Sequence, residues 1–340
     1  MKIKKLFLFG LIAVLMLTSV ACSQGTNGKQ AGSKDGVTKI KIANYFAEDH
    51  PQNVALREKF KKIVEEKTNG KVVVEIYPSN QLGDEAQFTN GVRNGTIEMA
   101  ITGMGLQTAD PKIGAVEWPF LFESYDHARK ALNGEVGDEI KAEFRKLGVE
   151  PLAWTVNGFR VISANRPIKS MDDFKGFRLR MPNIPIFVNT GKALGANVQP
   201  LPLSEVFTAL EQKVIDGQEN PYATLKASGF YEVQKYVLES NHMFSPNVYL
   251  MNKKLFDSFD KETQQIIKEA AQESANYEWE LLLKSEEDVK KFLKEKGLEI
   301  IVPDAQFKEQ MVKAMDPVYQ DLYKQYDWAK AFVEKVRNSK

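Results

Sequence analysis

The sequence predicts an α/β protein with two lobes, each a sheet covered by helices. Three observations indicate this class. The 340 residues suit two lobes at about 100 to 200 residues per domain, strand-like and helix-like segments alternate along the chain, and one helical segment is longer than a single lobe. Hydrophobic residues make up 43% of the chain, which is sufficient for packed cores.

The first half of the body alternates between strand and helix patterns. Ile40 and Ile42 alternate with lysines, which is typical of a strand. Since strands joined by helices through short links run parallel, we expect a parallel sheet covered by helices. The segments that follow are a helix over 51–67 stopped by Asn69-Gly70, a strand over 71–77, a helix over 84–94 and a strand over 97–102.

The same alternation restarts in the second half. The pattern predicts a helix over 125–147 that ends at Gly148, followed by strands over 149–155 and 177–181. Further helices are predicted from Ile184 and from Ser204. This second run of elements indicates a second α/β lobe.

Residues 260–296 have apolar positions at helical spacing, contain no Pro or Gly, and stop at Gly297. About 37 helical residues would extend roughly 55 Å, whereas a small domain is about 30 Å across. A single helix would therefore cross both lobes. A break near Ser285-Glu286 would instead give two ordinary helices.

The N-terminus predicts export. Lysines precede an apolar stretch over 6–17 that is too short for a membrane span, which is typical of a signal peptide, here over 1–21. Small residues then precede Cys22, as in a bacterial lipobox, although Ser19 stands where leucine is usual. We expect lipid attachment at Cys22, a flexible tether over 22–37, and a body outside the cytoplasmic membrane, lipid-anchored or periplasmic.

Composition and motifs exclude several function classes. Lysine and arginine total 46 against 45 aspartates and glutamates, so no basic footprint for nucleic acid is expected. One cysteine and the scattered His50, His127 and His242 do not fit a metal cage or an internal disulfide. The chain contains no phosphate loop and no hydrolase motif. The sequence therefore predicts no metal and no cofactor, and the absence of these motifs leaves an enzyme open.

The residues that best suit binding lie between 176 and 221. If 177–181 is a strand, Arg178 and Arg180 project from one face. Pro182 ends the strand and leaves Arg180 at its carboxyl end, where clefts of parallel sheets lie. A guanidinium there suits a carboxylate through two parallel hydrogen bonds, although a solvated surface charge is the alternative. Pro221 holds Asn220 in extended backbone, and an ordinary turn asparagine is the alternative.

Residues 201–210 read LPLSEVFTAL and residues 214–221 read VIDGQENP. This run resembles the signature of extracytoplasmic solute receptors of the tripartite ATP-independent periplasmic (TRAP) transporters, of the DctP type. Further motifs fit that family in order and spacing, and the resemblance covers about residues 39–323. They are YPSNQLGD at 77–84, NGFR at 157–160, RMPN at 180–183 and FYEVQK at 230–235.

The resemblance implies a two-lobe periplasmic-binding-protein fold with a long helix across both lobes and a cleft that closes on an organic acid by hinge motion. Lobe I would comprise 38–157 with about 246–280, and lobe II 158–245 with about 281–335. The loaded receptor would deliver its ligand to TRAP permease subunits in the membrane. A binding protein of an ATP-driven importer, a ligand-presenting sensor and a secreted enzyme on the same acids remain alternatives.

The resemblance also implies binding residues. Arg180 would form the bidentate bridge to the ligand carboxylate, with Arg160 as a second arginine. The sialic-acid branch has a glutamate and an arginine where this chain has Gly103 and Leu106, so a smaller acid, a C4-dicarboxylate or a sugar acid, is expected instead. The complete predicted set is Arg180, Arg160, Asn220, Asn183, Glu85, Tyr45 and Leu203.

Overall fold

A computed structural model of the chain describes residues 36–339. The predicted signal peptide over 1–21, the lipid-attachment residue Cys22 and most of the tether over 22–37 lie outside the described residues. Within 36–339, no helix combines the length and the apolar character needed to cross a membrane.

The strands form one mixed sheet in the order β2-β1-β3-β9-β4-β7-β5-β6, with β8 paired to β4 and β10. The predicted α/β class is confirmed. The strands are β1 (Thr38–Ala43), β2 (Val72–Tyr77), β3 (Met99–Thr102), β4 (Val149–Ala164), β5 (Arg178–Met181), β6 (Asn197–Pro200), β7 (Gly217–Pro221), β8 (Tyr236–Leu238), β9 (Phe244–Asn252) and β10 (Glu299–Ile301).

Parallel pairing is confirmed at the outer strands and wrong at the centre. β1 pairs parallel with β2 and β3, and β5 pairs parallel with β6 and β7. In contrast, β9 is antiparallel to β3 and β4, and β4 is antiparallel to β7 and β8. A connecting helix fixes the direction of the two strands it joins, but not of strands that pair across long sequence separations.

Strand β4 extends well beyond the predicted 149–155 and joins two parts of the sheet. It pairs with β9 from Val149 to Phe159, and with β7 from Arg160 to Ala164. Its register shifts between Val156 and Gly158, where Gly158 has a φ of 114°. A Cβ there would lie 2.8 Å from the Tyr125 hydroxyl. Glycine therefore lets one strand change partners without ending.

The helices are α1 (Pro51–Ala55), α2 (Lys62–Lys67), α3 (Glu85–Asn94), α4 (Tyr125–Leu132), α5 (Glu135–Lys146), α6 (Pro185–Ala193), α7 (Val206–Glu211), α8 (Tyr222–Ala227), α9 (Lys253–Ser258), α10 (Lys261–Glu295), α11 (Ala305–Lys313), α12 (Asp316–Gln325) and α13 (Ala329–Asn338). A π-helical segment, Leu56–Lys61, joins α1 to α2, so the predicted helix over 51–67 is confirmed as one helical stretch. Short 3₁₀ segments cover Gly105–Thr108, Pro111–Glu117, Met171–Phe174, Leu203–Glu205 and Phe230–Glu232.

The single helix predicted over 125–147 is wrong. The chain forms α4 and α5, separated by Asn133 and Gly134, and Gly134 has extended backbone angles (φ −112°, ψ −156°). A glycine costs a helix interior about 1 kcal/mol relative to alanine, so a break at this position is inexpensive. The apolar period continues across the break, and for that reason the pattern alone suggested one helix.

The long helix is confirmed. α10 is continuous over 35 residues, without a break near Ser285-Glu286. Its first half buries Ile267 and Ala271 in a core shared with β1 and β2. Its second half buries Val289 and Leu293 in a separate core with α7 and β8. The helix therefore contacts both parts of the sheet that β4 joins.

Candidate functional site

A cavity of about 370 Å³ lies at the carboxyl ends of the parallel strands. Residues at or just beyond the ends of β1, β5, β6 and β7 line it, together with the start of α3. This is the usual position of a ligand site in an α/β sheet. All of the residues predicted for binding line this cavity: Arg180, Arg160, Asn220, Asn183, Glu85, Tyr45 and Leu203.

Arg180 is a buried cation without a carboxylate partner. It is the penultimate residue of β5, and it is 2% exposed. Nε and Nη2 donate to the carbonyl oxygen of Leu201 at 2.9 and 2.6 Å, and within residues 36–339 no carboxylate forms an ion pair with it. Burial lowers the pKa of Arg180 to about 10, so the group stays charged at neutral pH. The Nη edge of the guanidinium is therefore available for an anion.

Arg160 is also buried, at 4% exposure, but its charge is paired. Nε contacts the Glu219 carboxylate, and Nη2 donates to the other carboxylate oxygen at 2.8 Å. Burial disfavours the charged form, yet the Glu219 carboxylate raises the pKa of Arg160 above its ordinary value. Nη1 donates to Ser245 Oγ at 3.1 Å. Arg160 therefore supplies directed donors more than net charge.

Glu219 and His242 support Arg160, and neither was predicted as a site residue. Glu219 is fully buried; burial disfavours its carboxylate, but the Arg160 guanidinium lowers its pKa below the ordinary value. His242 Nε2 lies 3.4 Å from the Glu219 carboxylate, and its Nδ1 lies 2.8 Å from Ser240 Oγ. The sequence did contain a signal for Glu219. It lies within the strand segment GQENP, and a charged residue that is buried in a strand needs a partner.

The remaining predicted residues take different positions around the cavity. Asn220 accepts a hydrogen bond from Arg160 Nη2 at 3.2 Å and donates to Gln218 Oε1 at 2.7 Å, which fixes its amide. Asn183 is exposed, whereas Leu203 is half-buried. Arg178, predicted on the same strand face as Arg180, instead pairs with Asp216 at 2.6 Å and stays partly exposed.

A second wall of the cavity is acidic. Glu85 Oε1 accepts hydrogen bonds from Thr102 Oγ1 at 2.7 Å and from the Gly103 backbone N–H at 2.8 Å. Burial raises the pKa of Glu85. The Tyr45 hydroxyl accepts from Asn247 Nδ2 at 2.8 Å. These groups can donate to or accept from ligand hydroxyls.

Glu117 lies behind this wall and was not predicted as a site residue. It is 3% exposed, and its Oε2 accepts from Gln107 Nε2 at 3.0 Å. Burial raises the pKa of Glu117 to about 8. A glutamate inside the otherwise apolar run from Ile113 to Trp118 was the signal that could have identified a buried acid.

Fold and cavity together define a solute-binding protein with a site for a carboxylate-bearing molecule. An unpaired buried guanidinium faces a cavity whose other polar groups suit hydroxyls. The chain belongs to the bacterial extracellular solute-binding protein family 7, DctP, whose family model matches residues 42–326. The family resemblance noted in the sequence is confirmed.

Relatives and solved structures agree with this family. An uncharacterised protein of Haemophilus influenzae is 47% identical over 97% of this chain and 98% of its own length. The 2,3-diketo-L-gulonate-binding periplasmic protein YiaO of Escherichia coli is 36% identical over 74% of this chain and 76% of its own. A crystal structure of a TRAP periplasmic solute-binding protein from Haemophilus influenzae with bound L-gulonate has a TM-score of 0.87 and 50% identity, covering 89% of this chain and 100% of that one.

Proposed function

We propose that this protein is an extracytoplasmic TRAP receptor for a sugar acid of the L-gulonate type, which it passes to the permease subunits in the membrane. The observation that carries the proposal is the unpaired, buried guanidinium of Arg180 in the cavity. The similarity to an L-gulonate-bound receptor and to a 2,3-diketo-L-gulonate-binding protein supports this ligand class over a C4-dicarboxylate.

The binding residues take distinct roles in this proposal. Arg180 holds the ligand carboxylate through two hydrogen bonds, which at roughly 1.5 to 3 kcal/mol each supply much of the affinity. Arg160 and Asn220 direct further donors to the same end of the ligand. Glu85 and Tyr45 hydrogen-bond the hydroxyl groups at the other end. A cavity of about 370 Å³ suits a small acid.

Closure of two lobes around the ligand completes the proposed mechanism. In this proposal the two lobes comprise 38–157 with about 246–280, and 158–245 with about 281–335. The change of partner along β4 near Gly158 supports a hinge at this point, because a strand that leaves one set of neighbours for another has few contacts to break there. The ligand would stabilise the closed form by touching both lobes at once.

Location and partners follow from the family and from the N-terminus. The proposal includes export by the signal peptide over 1–21 and lipid attachment at Cys22, which would keep the receptor close to its permease. It includes no cofactor and no catalytic step, since the relatives are solute receptors. Membership of a TRAP receptor family also disfavours the ATP-driven importer and the sensor.

Calorimetry with the purified protein tests the ligand class. We expect L-gulonate and 2,3-diketo-L-gulonate to bind at least about tenfold more tightly than succinate or malate, a difference of about 1.4 kcal/mol. A thermal-shift screen of aldonates, uronates and dicarboxylates would rank related acids. Tight binding of a C4-dicarboxylate with no response to any sugar acid would overturn the proposal.

A further inference from the structure

Three oxygen atoms converge beside Gly103 at the acidic wall. A Cβ built on Gly103 would lie 3.2 Å from Glu85 Oε1, 3.7 Å from Glu117 Oε1 and 3.7 Å from the Tyr45 hydroxyl. The two carboxyl groups reach this point from separate segments, the start of α3 and the 3₁₀ segment Pro111–Glu117. We call Glu85 and Glu117 the acid pair.

The acid pair and Arg180 leave complementary charges unpaired within the described part of the chain. Glu219 already forms an ion pair with Arg160, and neither Glu85 nor Glu117 forms an ion pair with any residue of 36–339. Arg160 lies near enough to favour their ionised forms, but its guanidinium already contacts Glu219. One wall therefore presents a cation without a carboxylate, and the other presents the Glu85 carboxyl group, with Glu117 behind it, without a cation.

We propose that the acid pair is a specificity-determining element: Glu85 accepts ligand hydroxyl groups at the cavity wall, and Glu117 directly behind it helps to exclude a second carboxylate, so that the receptor selects acids with a single carboxylate. A hydroxyl both donates and accepts, so it can satisfy a carboxylate and a carboxylic acid alike. A second ligand carboxylate offers only acceptors and would bring a like charge to a buried site. This inference rests on the proposed function and sharpens its ligand class.

Titration of the acid pair gives the selectivity a defined pH dependence. Glu117, with its pKa raised to about 8 by burial, loses its proton on passing from pH 6 to pH 9. The charged or titratable groups around it are Glu85, Arg160, Glu219 and Tyr45. Ionisation of Glu117 adds a negative charge to the wall, so exclusion of a second carboxylate strengthens as the pH rises.

A matched ligand pair tests the proposal directly. D-glucarate is L-gulonate with its terminal primary alcohol oxidised to a carboxylate, so the two ligands differ at one carbon. Measured at pH 9, where Glu117 is largely ionised, the double variant Glu85→Gln/Glu117→Gln removes the charge of the acid pair and nearly preserves its shape. We expect wild-type protein to prefer L-gulonate, and the double variant to reduce that preference about tenfold, chiefly by binding D-glucarate more tightly.

The control is Glu278→Gln. Glu278 is fully buried on α10, burial raises its pKa well above the ordinary value, and its Oε2 accepts from the Val156 N–H; it neither lines the cavity nor belongs to the oxygen atoms around Gly103. This control should leave the ratio of the two affinities unchanged. It separates the loss of any buried carboxyl group from the loss of the acid pair.

The outcomes separate the inference from the function on which it rests. If wild-type protein binds neither L-gulonate nor D-glucarate, the proposed function fails. If it binds L-gulonate but the double variant keeps the wild-type ratio, or if wild-type protein prefers D-glucarate, only the inference fails. Should the double variant not fold, the wild-type ratio between pH 6 and pH 9 decides: a rise with pH supports the acid pair, and a flat ratio overturns it.

Discussion

Arg180 and Arg160 are the same residue type in the same cavity, yet their surroundings give them different tasks. Both are buried, and both line the site. Arg160 faces the Glu219 carboxylate through two contacts, whereas the hydrogen bonds that Arg180 donates within residues 36–339 go to the carbonyl oxygen of Leu201. The pKa values move in opposite directions for this reason, up for Arg160 and down for Arg180.

Two identical side chains therefore have different main roles in one cavity, one in stabilising the fold and one in recognition. A carboxylate partner neutralises the charge of a buried guanidinium, and the resulting pair can hold strands β4 and β7 together. A buried guanidinium with only a neutral acceptor retains its charge and its free donors for an incoming anion. Pairing, not burial, distinguishes Arg160, whose charge is used within the fold and which keeps only directed donors, from Arg180, whose charge is free for the proposed ligand carboxylate.

Removing the carboxylate partner of Arg160 should give the largest effect, a loss of folding stability. Glu219→Gln leaves Arg160 buried without its carboxylate, and removing one partner of a buried pair costs about 3 to 5 kcal/mol. The measurement is the free energy of unfolding in urea. We expect a loss in that range.

The matched control for this variant is Glu150→Gln. Glu150 pairs with Arg145 at 3.0 Å, but the Arg145 side chain is 44% exposed. Loss of this ion pair should therefore lower the free energy of unfolding by about 1 kcal/mol or less. Equal losses in the two variants would contradict the view that burial makes the Arg160–Glu219 pair structurally essential.

Replacing the unpaired arginine should chiefly affect binding. Arg180→Lys retains a positive charge and loses the planar fork, so affinity for L-gulonate should fall at least about tenfold while the free energy of unfolding changes by less than about 1 kcal/mol. Titration calorimetry measures the first quantity and urea unfolding the second.

Arg178→Lys is the control on the same strand, and it should leave the affinity unchanged. An unaltered affinity in Arg180→Lys would remove that residue from its proposed role. A large loss of stability in Arg180→Lys would show instead that its hydrogen bonds to Leu201 hold β5 and the following loop.

Local patterns predicted most elements because local chemistry determines them. The 35-residue α10 follows from an apolar period without Pro or Gly, and the start of α3 follows from Asp84, which caps it by accepting from the Gln87 N–H. Strand β4 was predicted too short because Asn157-Gly158 is typical of a turn, yet Gly158 here forms a bulge inside the strand.

Partners from distant segments could not be predicted in the same way. The antiparallel pairing of β9 with β3 and β4 joins segments far apart in sequence, and no local period encodes it. The same limit applied to the site. Family motifs led to most of the residues that line the cavity, whereas Glu117 and Glu219 have buried neighbours that only folding brings together.

The smallest effect on stability should come from the ion pair between Asp216 and Arg178, the partly exposed arginine on the same strand as Arg180. Its guanidinium contacts Asp216 at 2.6 and 3.0 Å and, mainly through these hydrogen bonds, lowers the pKa of Asp216 to about 2. A depressed pKa in the folded state stabilises the protein above the ordinary aspartate pKa, and this contribution disappears as the pH falls towards 2. Asp216→Asn should therefore be less stable than wild type at pH 6, and the difference should shrink between pH 4 and pH 2. Urea unfolding across that range measures it, with L-gulonate affinity at neutral pH unchanged. A difference that stays constant with pH would show that the Asp216 side chain acts through its shape and hydrogen bonds, and not through its charge.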